Sequence, residues 1–441
     1  MFYLIVATQA LSLVGSRMTS IGLGIWVFSH TGNTTPLLLT AFFTELPGML
    51  AGSLLGVLVD RWDRRRVLML ADAGQAVGTL ILMLDFLLGG FRVWHLYLIA
   101  LLQGSCMAFQ QPAEDATTTM LVPEHHRERA NAIRQIAFPL AGVVAPVLTG
   151  SLYVAIGITG VMAIDLATFL VAVLAIYLIH IPRPRPTEEG RAAQGRMLQE
   201  WLGGLRYLAV RRPLLYFVLY LTFINFLLNG PLELAIPYLI SVTGSEALMG
   251  RLMGVMSFGA FTGAVLVTVW GGTRPRMHTL MPGLLLSGVM FLAYGTARSP
   301  LGLAVSIFLL MAPLPVMNAL FLSIMQVKTP PDMQGRIFAV VGQLGFLGST
   351  TSFLLTGPLV DRFLNPAVGA PAWRWVEPLV GRAPGAGIGL LLAATGVIIF
   401  AATLVAYGSP QIRRLETSLP DYKAVAADNP TAGTARRPAP R

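Results

Sequence analysis

Stretches of about 20 mostly apolar residues recur along nearly the whole chain, and no other feature restricts its fold as strongly. At 1.5 Å of rise per residue, about 20 residues carry a helix across the ~30 Å of hydrocarbon in a bilayer. Twelve such runs fit: 2–28, 36–59, 67–88, 94–121, 131–154, 158–181, 213–241, 248–270, 278–297, 300–326, 336–361 and 387–407. Breakers such as Gly89-Gly90, Gly157, Gly271-Gly272 and Ser299-Pro300 punctuate them. Only 12% of the residues are charged, against about 25% in an ordinary soluble domain, which excludes disorder, collagen-like fibres and most soluble enzymes. The expected fold is an all-α membrane protein of 12 transmembrane helices in two six-helix bundles. Met1-Phe2-Tyr3-Leu4 enters the first run directly and is read as a span, not a signal peptide.

The polar stretch 182–212, opening Pro182-Arg183-Pro184-Arg185-Pro186, separates the halves. The expected units are a first bundle at 1–181, a cytoplasmic linker at 182–212, a second bundle at 213–407 and a disordered cytoplasmic tail at 408–441. Of the 31 Lys and Arg, 24 fall on the side of the even-numbered connections and the tail, six on the other side, and Arg17 within a span. By the positive-inside rule that places both termini in the cytoplasm. The net charge of +10 thus has a topological origin, and no nucleic-acid partner is expected. An internal repeat supports the 6+6 plan. Leu148-Thr149-Gly150-Ser151-Leu152 matches Leu355-Thr356-Gly357-Pro358-Leu359 at an offset of 207, which also superposes Pro123 on Pro330 and Arg129 on Arg336. Such duplication is common in secondary transporters, with the solute path between the halves.

Several chemistries lack their residues. A single cysteine, Cys106, rules out an internal disulfide and a Cys-cluster metal site. His125-His126 lack ligand-type spacing, so no metal and no cofactor are expected. No G-x-x-x-x-G-K-[ST] occurs, which excludes an ATP-driven pump in this chain. Neither a Ser-His-Asp pattern nor H-E-x-x-H appears, and the chain is not expected to be an enzyme.

The most specific stretch is Gly56-Val57-Leu58-Val59-Asp60-Arg61-Trp62-Asp63-Arg64-Arg65-Arg66, between the second and third runs. Gly56 permits close helix approach, Asp60 lies where it can meet a helix N-terminus, and the arginines anchor the hairpin. This stretch resembles the loop 2–3 motif of the major facilitator superfamily, G-x-L-a-D-R-x-G-R-R, with Asp63 in place of the second glycine. The resemblance extends over all twelve runs and is closest to the branch of macrolide and enterobactin exporters. Leu121-Val122-Pro123-Glu124, Arg129-Ala130-Asn131 and Ile164-Asp165-Leu166-Ala167-Thr168-Phe169 carry it. It implies alternating access by two rocking bundles, driven by an ion gradient, usually of protons. It also implies that Asp60, Arg61 and Arg65 lock the cytoplasmic side in the outward-facing state, with Asp115 as a partner.

Gly142-Val143-Val144-Ala145-Pro146-Val147-Leu148-Thr149-Gly150 resembles the antiporter motif G-x-x-x-G-P-x-x-G-G of drug exporters, with Ala145 in a glycine's place and the last glycine displaced to Gly150. Ordinary small-residue packing explains the same stripe. Gln103-Gly104 survives from the span 4 motif, but Ala100 stands where many proton antiporters carry arginine.

An ionisable group in a span costs on the order of 3 kcal/mol by insertion scales, so each asks for a partner or a water-filled path. Arg17 is halfway along the first span and Glu45 near the midplane of the second. Two arrangements stand: an Arg17–Glu45 pair, or Glu45 facing a cavity and carrying a proton. Asp165 and Glu233 are further proton-coupling candidates. Asp72 is expected to be structural, close to Arg65 and Arg66. Asn225, Asn229, Gly230, Pro231 and Glu233 form a breakable polar segment in the seventh span, read either as a gate helix lining the path or as a kink with satisfied amides. Gln110, Asn318 and Gln343 are the other path candidates. Trp373 and Trp375 are expected to rest at the interface in a long outer loop.

Together these features predict a monomeric exporter in a bacterial plasma membrane, whose partners are a small amphipathic substrate (a drug, macrolide or siderophore), protons and the lipid bilayer. The alternatives are an ion-coupled importer of the same fold, and a receptor or assembly factor built on a transporter scaffold.

Overall fold

The computed structural model describes residues 2–61, 63–121, 127–178 and 197–422, and among them every regular element is helical. The first half comprises α1 (Phe2–Thr31), α2 (Thr35–Arg61), α3 (Arg64–Leu87), α4 (Val93–Leu121) and α5 (Arg127–Leu178). A short amphipathic helix, α6 (Met197–Val210), precedes the second half. That half contains α7 (Arg212–Glu233), α8 (Ala235–Thr243), α9 (Glu246–Trp270), α10 (Met277–Thr296), α11 (Pro300–Met311), α12 (Pro313–Lys328), α13 (Gln334–Leu359) and α14 (Ala386–Gly408).

Nine described helical segments are long and apolar enough to cross a membrane. Counting α2 and α4 as well, and dividing the long segment within α5, gives the twelve expected traverses. The division falls at Gly157, whose φ of +67° a residue without a Cβ adopts freely. The seventh traverse is α7 continued by α8 across a break at Leu234, three residues beyond Pro231. The tenth is α11 continued by α12, broken before Pro313, whose missing N–H and ring stop regular α-helical bonding.

Each half packs on itself, α1 against α5 and α2 against α4 in the first, α10 against α14 in the second. Two seams join the halves, α5 with α9 and α2 with α13. The repeat explains both. A Cβ on Gly150 would lie 2.7 Å from the carbonyl oxygen of Glu246, and one on Gly357 would lie 2.8 Å from Cα of Thr35. The matched glycine of each half is where its helix backbone touches the other half. Both contacts lie at the membrane face opposite the chain termini, hereafter the distal face. Toward the terminal face, a Cβ on Gly335, Gly342 or Gly345 of α13 would meet no described atom within 4 Å. The halves are therefore closed together distally and, among the described residues, separated along the terminal part of α13.

Two expectations are corrected. The stretch 409–422, expected to belong to a disordered tail, is folded. Ile412 and Leu415 are buried, and Lys328, 2% exposed, is held by the carbonyls of Glu416 and Leu419 and by the Asp421 carboxylate. Glu416 also accepts the N–H of Met277 at the start of α10 (2.9 Å), and Tyr422 donates its own N–H to Val327. The segment is polar in composition, but it supplies carbonyls and carboxylates to a buried ammonium and a helix end. In the outer loop, Trp373 is 3% exposed and donates to Gly381, whereas Trp375 is exposed, because helical turns fold the loop over the end of α14.

Candidate functional site

A cavity of about 260 Å³ opens on the α2–α13 seam, lined by Glu45, Asn225, Asn229, Gly342, Gly345, Phe346 and Ser349. Glu45 comes from α2 of the first half, two residues before the Pro47 within that helix. Ser349 of α13 donates to its carboxylate across the seam at 2.5 Å. Asn225 and Asn229 share one face of α7, four residues apart, and the amide of Asn229 bonds back to Asn225 at 2.7 and 2.8 Å. Glu233, one further turn along, has an exposed side chain and does not line the cavity. A carboxylate of one half thus faces two amides and an aromatic ring of the other, which lets the cavity hold a positive, partly apolar group.

Glu45 is bonded to Ser349, and the guanidinium of Arg17 lies instead in the other seam, against Gly142 of α5 and Ser257 of α9. The stripe Gly142, Pro146, Gly150 forms that α5–α9 seam, with the Pro146 carbonyl against Gly250. Gly230 is buried against Ser352, whose hydroxyl accepts its N–H at 2.8 Å, so the α7 break has a satisfied amide while the neighbouring asparagines face the cavity. Asn318 is exposed and Gln343 half-buried, and neither lines the cavity.

Gln110 is placed differently from expectation. It lies inside the first half, donating to Asp72 at 2.9 Å and accepting from Gln75 at 2.7 Å. Asp72 in turn is held by Gln9 and Gln110, not by Arg65 or Arg66. The Arg65 guanidinium reaches the carbonyls of Ile176 and Tyr177, satisfying the last turn of α5. Asp63 caps α3 by accepting the N–H of Arg65 at 3.1 Å, so the departure from the loop motif has a local structural use. An Asp immediately before a helix was the available signal. The side chains at 60, 61, 64 and 115, on which the expected lock falls, lie outside the described residues, as do the surroundings of Gly56.

One contact escaped the sequence reading. Asp361, in the π-helical turn Val360–Leu364 that follows α13, caps the start of α2 in the other half. Only its position at the distal end of an apolar run hinted at this.

Twelve traverses in two halves around a seam cavity define a polytopic transporter. The chain belongs to the Major Facilitator Superfamily, whose family model matches residues 5–353. It is similar to macrolide efflux protein A of Streptococcus pyogenes, 23% identical over 82% of this chain and 89% of that protein. It is also similar to the multidrug efflux pump Tap of Mycolicibacterium fortuitum, 23% identical over 79% of this chain and 86% of that one. Among solved structures, a bacterial homologue of the human lysosomal transporter Spinster, in an inward-facing and unoccupied conformation, superposes with a TM-score of 0.70 at 16% identity, covering 95% of this chain and 97% of that one. A D-xylose–proton symporter gives 0.67 at 15% identity, covering 93% and 98%. The fold and relatives are those of transporters, not enzymes.

Proposed function

We propose that this protein exports a cationic amphipathic compound, of the macrolide or dye type, in exchange for protons. The observation that carries the reading is the seam cavity in which Glu45 of the first half faces Asn225, Asn229 and Phe346 of the second. A positive substrate nitrogen pairs with Glu45, its polar groups meet the asparagines, and its apolar body meets the ring. Macrolides carry an amine and suit this cavity better than anionic siderophores do. The efflux names of the relatives favour export over import.

In this reading the rocking units are 1–181 and 213–407, joined by 182–212, in a monomer in a bacterial plasma membrane with both termini cytoplasmic. The conformation described, closed at the distal face, is then closed to the outside. Motion about the two seams would close the terminal side and open the distal one, carrying the cavity's contents across.

The test is efflux of ethidium and erythromycin from a sensitised host, with and without a protonophore, by the wild type and by Glu45→Gln. Protonophore-sensitive efflux that Glu45→Gln abolishes for both cations supports the reading. Efflux indifferent to the protonophore removes proton antiport, and unimpaired efflux by Glu45→Gln removes the substrate role of the cavity.

A further inference from the structure

The cavity leaves two carboxylates unused, and both are buried inside the first half. Asp72 of α3 and Asp165 of the second limb of α5 are each 1% exposed. They stand against two polar stripes. On α1, Gln9, Ser12, Ser16 and Thr19 follow spacings of three, four and three residues, which puts them on one helix face. On α3, Asp72, Gln75 and Thr79 follow spacings of three and four. The two faces meet. Gln9 donates to Asp72 at 2.9 Å, Ser16 to Asp165 at 3.2 Å, and Thr79 to the other oxygen of Asp165 at 3.2 Å. The two acids thus occupy levels seven residues apart along both helices, about 10 Å. Asp165 is nearer the distal face and Asp72 nearer the terminal face.

The donors around both acids are neutral. Facing Asp72 are Gln9 of α1, Gln75 of its own helix, and Gln110 and Cys106 of α4. Facing Asp165 are Ser16 and Thr19 of α1 and Thr79 of α3, while Thr168 of its own limb donates to its backbone carbonyl. Among the described residues neither acid has a Lys, Arg or His within ion-pair distance. An ionised carboxylate there has lost its hydration without gaining a counter-charge, and a proton is the smallest ligand that restores neutrality. The hydroxyl of Thr19, 3% exposed, faces Asp165 but lies outside hydrogen-bonding geometry. It is the acceptor that a carboxylic O–H on Asp165 would use. Nor is the seam a requirement of the fold, because the third traverse of the second half, α10, contains no carboxylate.

We propose that Asp165 and Asp72 carry the coupling proton along this seam inside the first half, leaving Glu45 to the substrate. The inference rests on the proton-exchange reading above. In each cycle Asp165 accepts one proton from the distal side, and Asp72 releases one to the terminal side. The Ser12 and Gln75 side chains lie between the two levels, with Ser16 and Thr79 bonded to Asp165 at its own level, so one proton crosses and each carboxylate regains its starting charge.

The experiment uses the full chain in liposomes with an imposed pH gradient and ethidium as probe. Asp72→Asn and Asp165→Asn are expected to retain ethidium binding and gradient-free exchange, while gradient-driven transport falls to that of protein-free liposomes. Each is also expected to remove one component from the infrared carbonyl band of protonated carboxyl groups seen on titrating the wild type. Glu45→Gln should show the reverse split, with ethidium binding lost and that band retained. Wild-type protein coupled to protons, with both asparagine variants still coupled, overturns the proposal and leaves the functional reading intact. A wild type driven by sodium, or by no gradient, overturns both. Where an asparagine variant does not fold, the wild-type spectrum decides, and absence of any titrating buried carboxyl band overturns the proposal.

Discussion

Asp361 of the second half accepts both backbone N–H groups at the start of α2 in the first half, from Thr34 at 2.9 Å and from Thr35 at 2.7 Å. The hydroxyls of the same two threonines add bonds of 3.0 and 2.6 Å. One carboxylate therefore caps a helix belonging to the other half, with the favourable sign for a helix N-terminus. It does so beside the Gly357–Thr35 contact, where the halves meet most closely on that seam.

This cap should hold the distal face shut. Asp361→Asn leaves a neutral acceptor and removes charge-assisted bonding of about 2 kcal/mol, or ~30-fold in the equilibrium between closed and open distal faces. The measurement is thiol labelling from the distal side of a cysteine at the buried position 38 (Leu38→Cys, in a Cys106→Ser background). Faster labelling in the Asp361→Asn chain is expected, and equal rates would show that the cap does not govern closure.

The repeat glycines should be intolerant of a single methyl group. Gly150→Ala and Gly357→Ala push a Cβ against backbone of the other half, and overpacking of this kind costs about 1–3 kcal/mol. The closed state alone bears that cost, so transport should fall sharply in both variants while the yield of folded protein changes little. Gly203→Ala, where a Cβ meets nothing within 4 Å, is the control and should transport like the wild type.

Ser349 should matter to the substrate more than to the fold. Its hydroxyl donates to the Glu45 carboxylate in the cavity, at 2.5 Å. Loss of one hydrogen bond to a charged group in Ser349→Ala changes the affinity for a cation by about tenfold. Ethidium binding measured by fluorescence anisotropy should move by that factor, whereas the thermal midpoint should stay near that of the wild type. A shift in the midpoint with unchanged binding would make the contact purely structural.

The segment 409–422 should be a structural clasp. Ending the chain after Tyr422 retains every oxygen around Lys328, and ending it after Gly408 removes them all. A buried ammonium stripped of its partners costs about 3–5 kcal/mol. The shorter chain should therefore lose much of its thermal stability in detergent, and Lys328→Met should restore part of it. A shorter chain as stable as the longer one would sink this account.

Hydropathy alone determined the helical class, the twelve traverses and the break at Gly157, because the cost of placing a polar segment in hydrocarbon is local to that segment. The repeat at 148–152 and 355–359 was equally visible, as were the three- and four-residue spacings of Gln9, Ser12, Ser16 and Thr19. What these features touch was not visible. Glu45 faced two arrangements on the page of sequence, and Gln110 read as well for a solute path as for the Asp72 network it joins. Asp361 carried no signal of its partner more than three hundred residues away, and Lys328 none of the tail that wraps it. A contact across a seam depends on how two whole halves are set against each other, and no spacing within one helix encodes that. The chain's own pattern fixed which faces are polar, and the packing of the halves chose the partner for each.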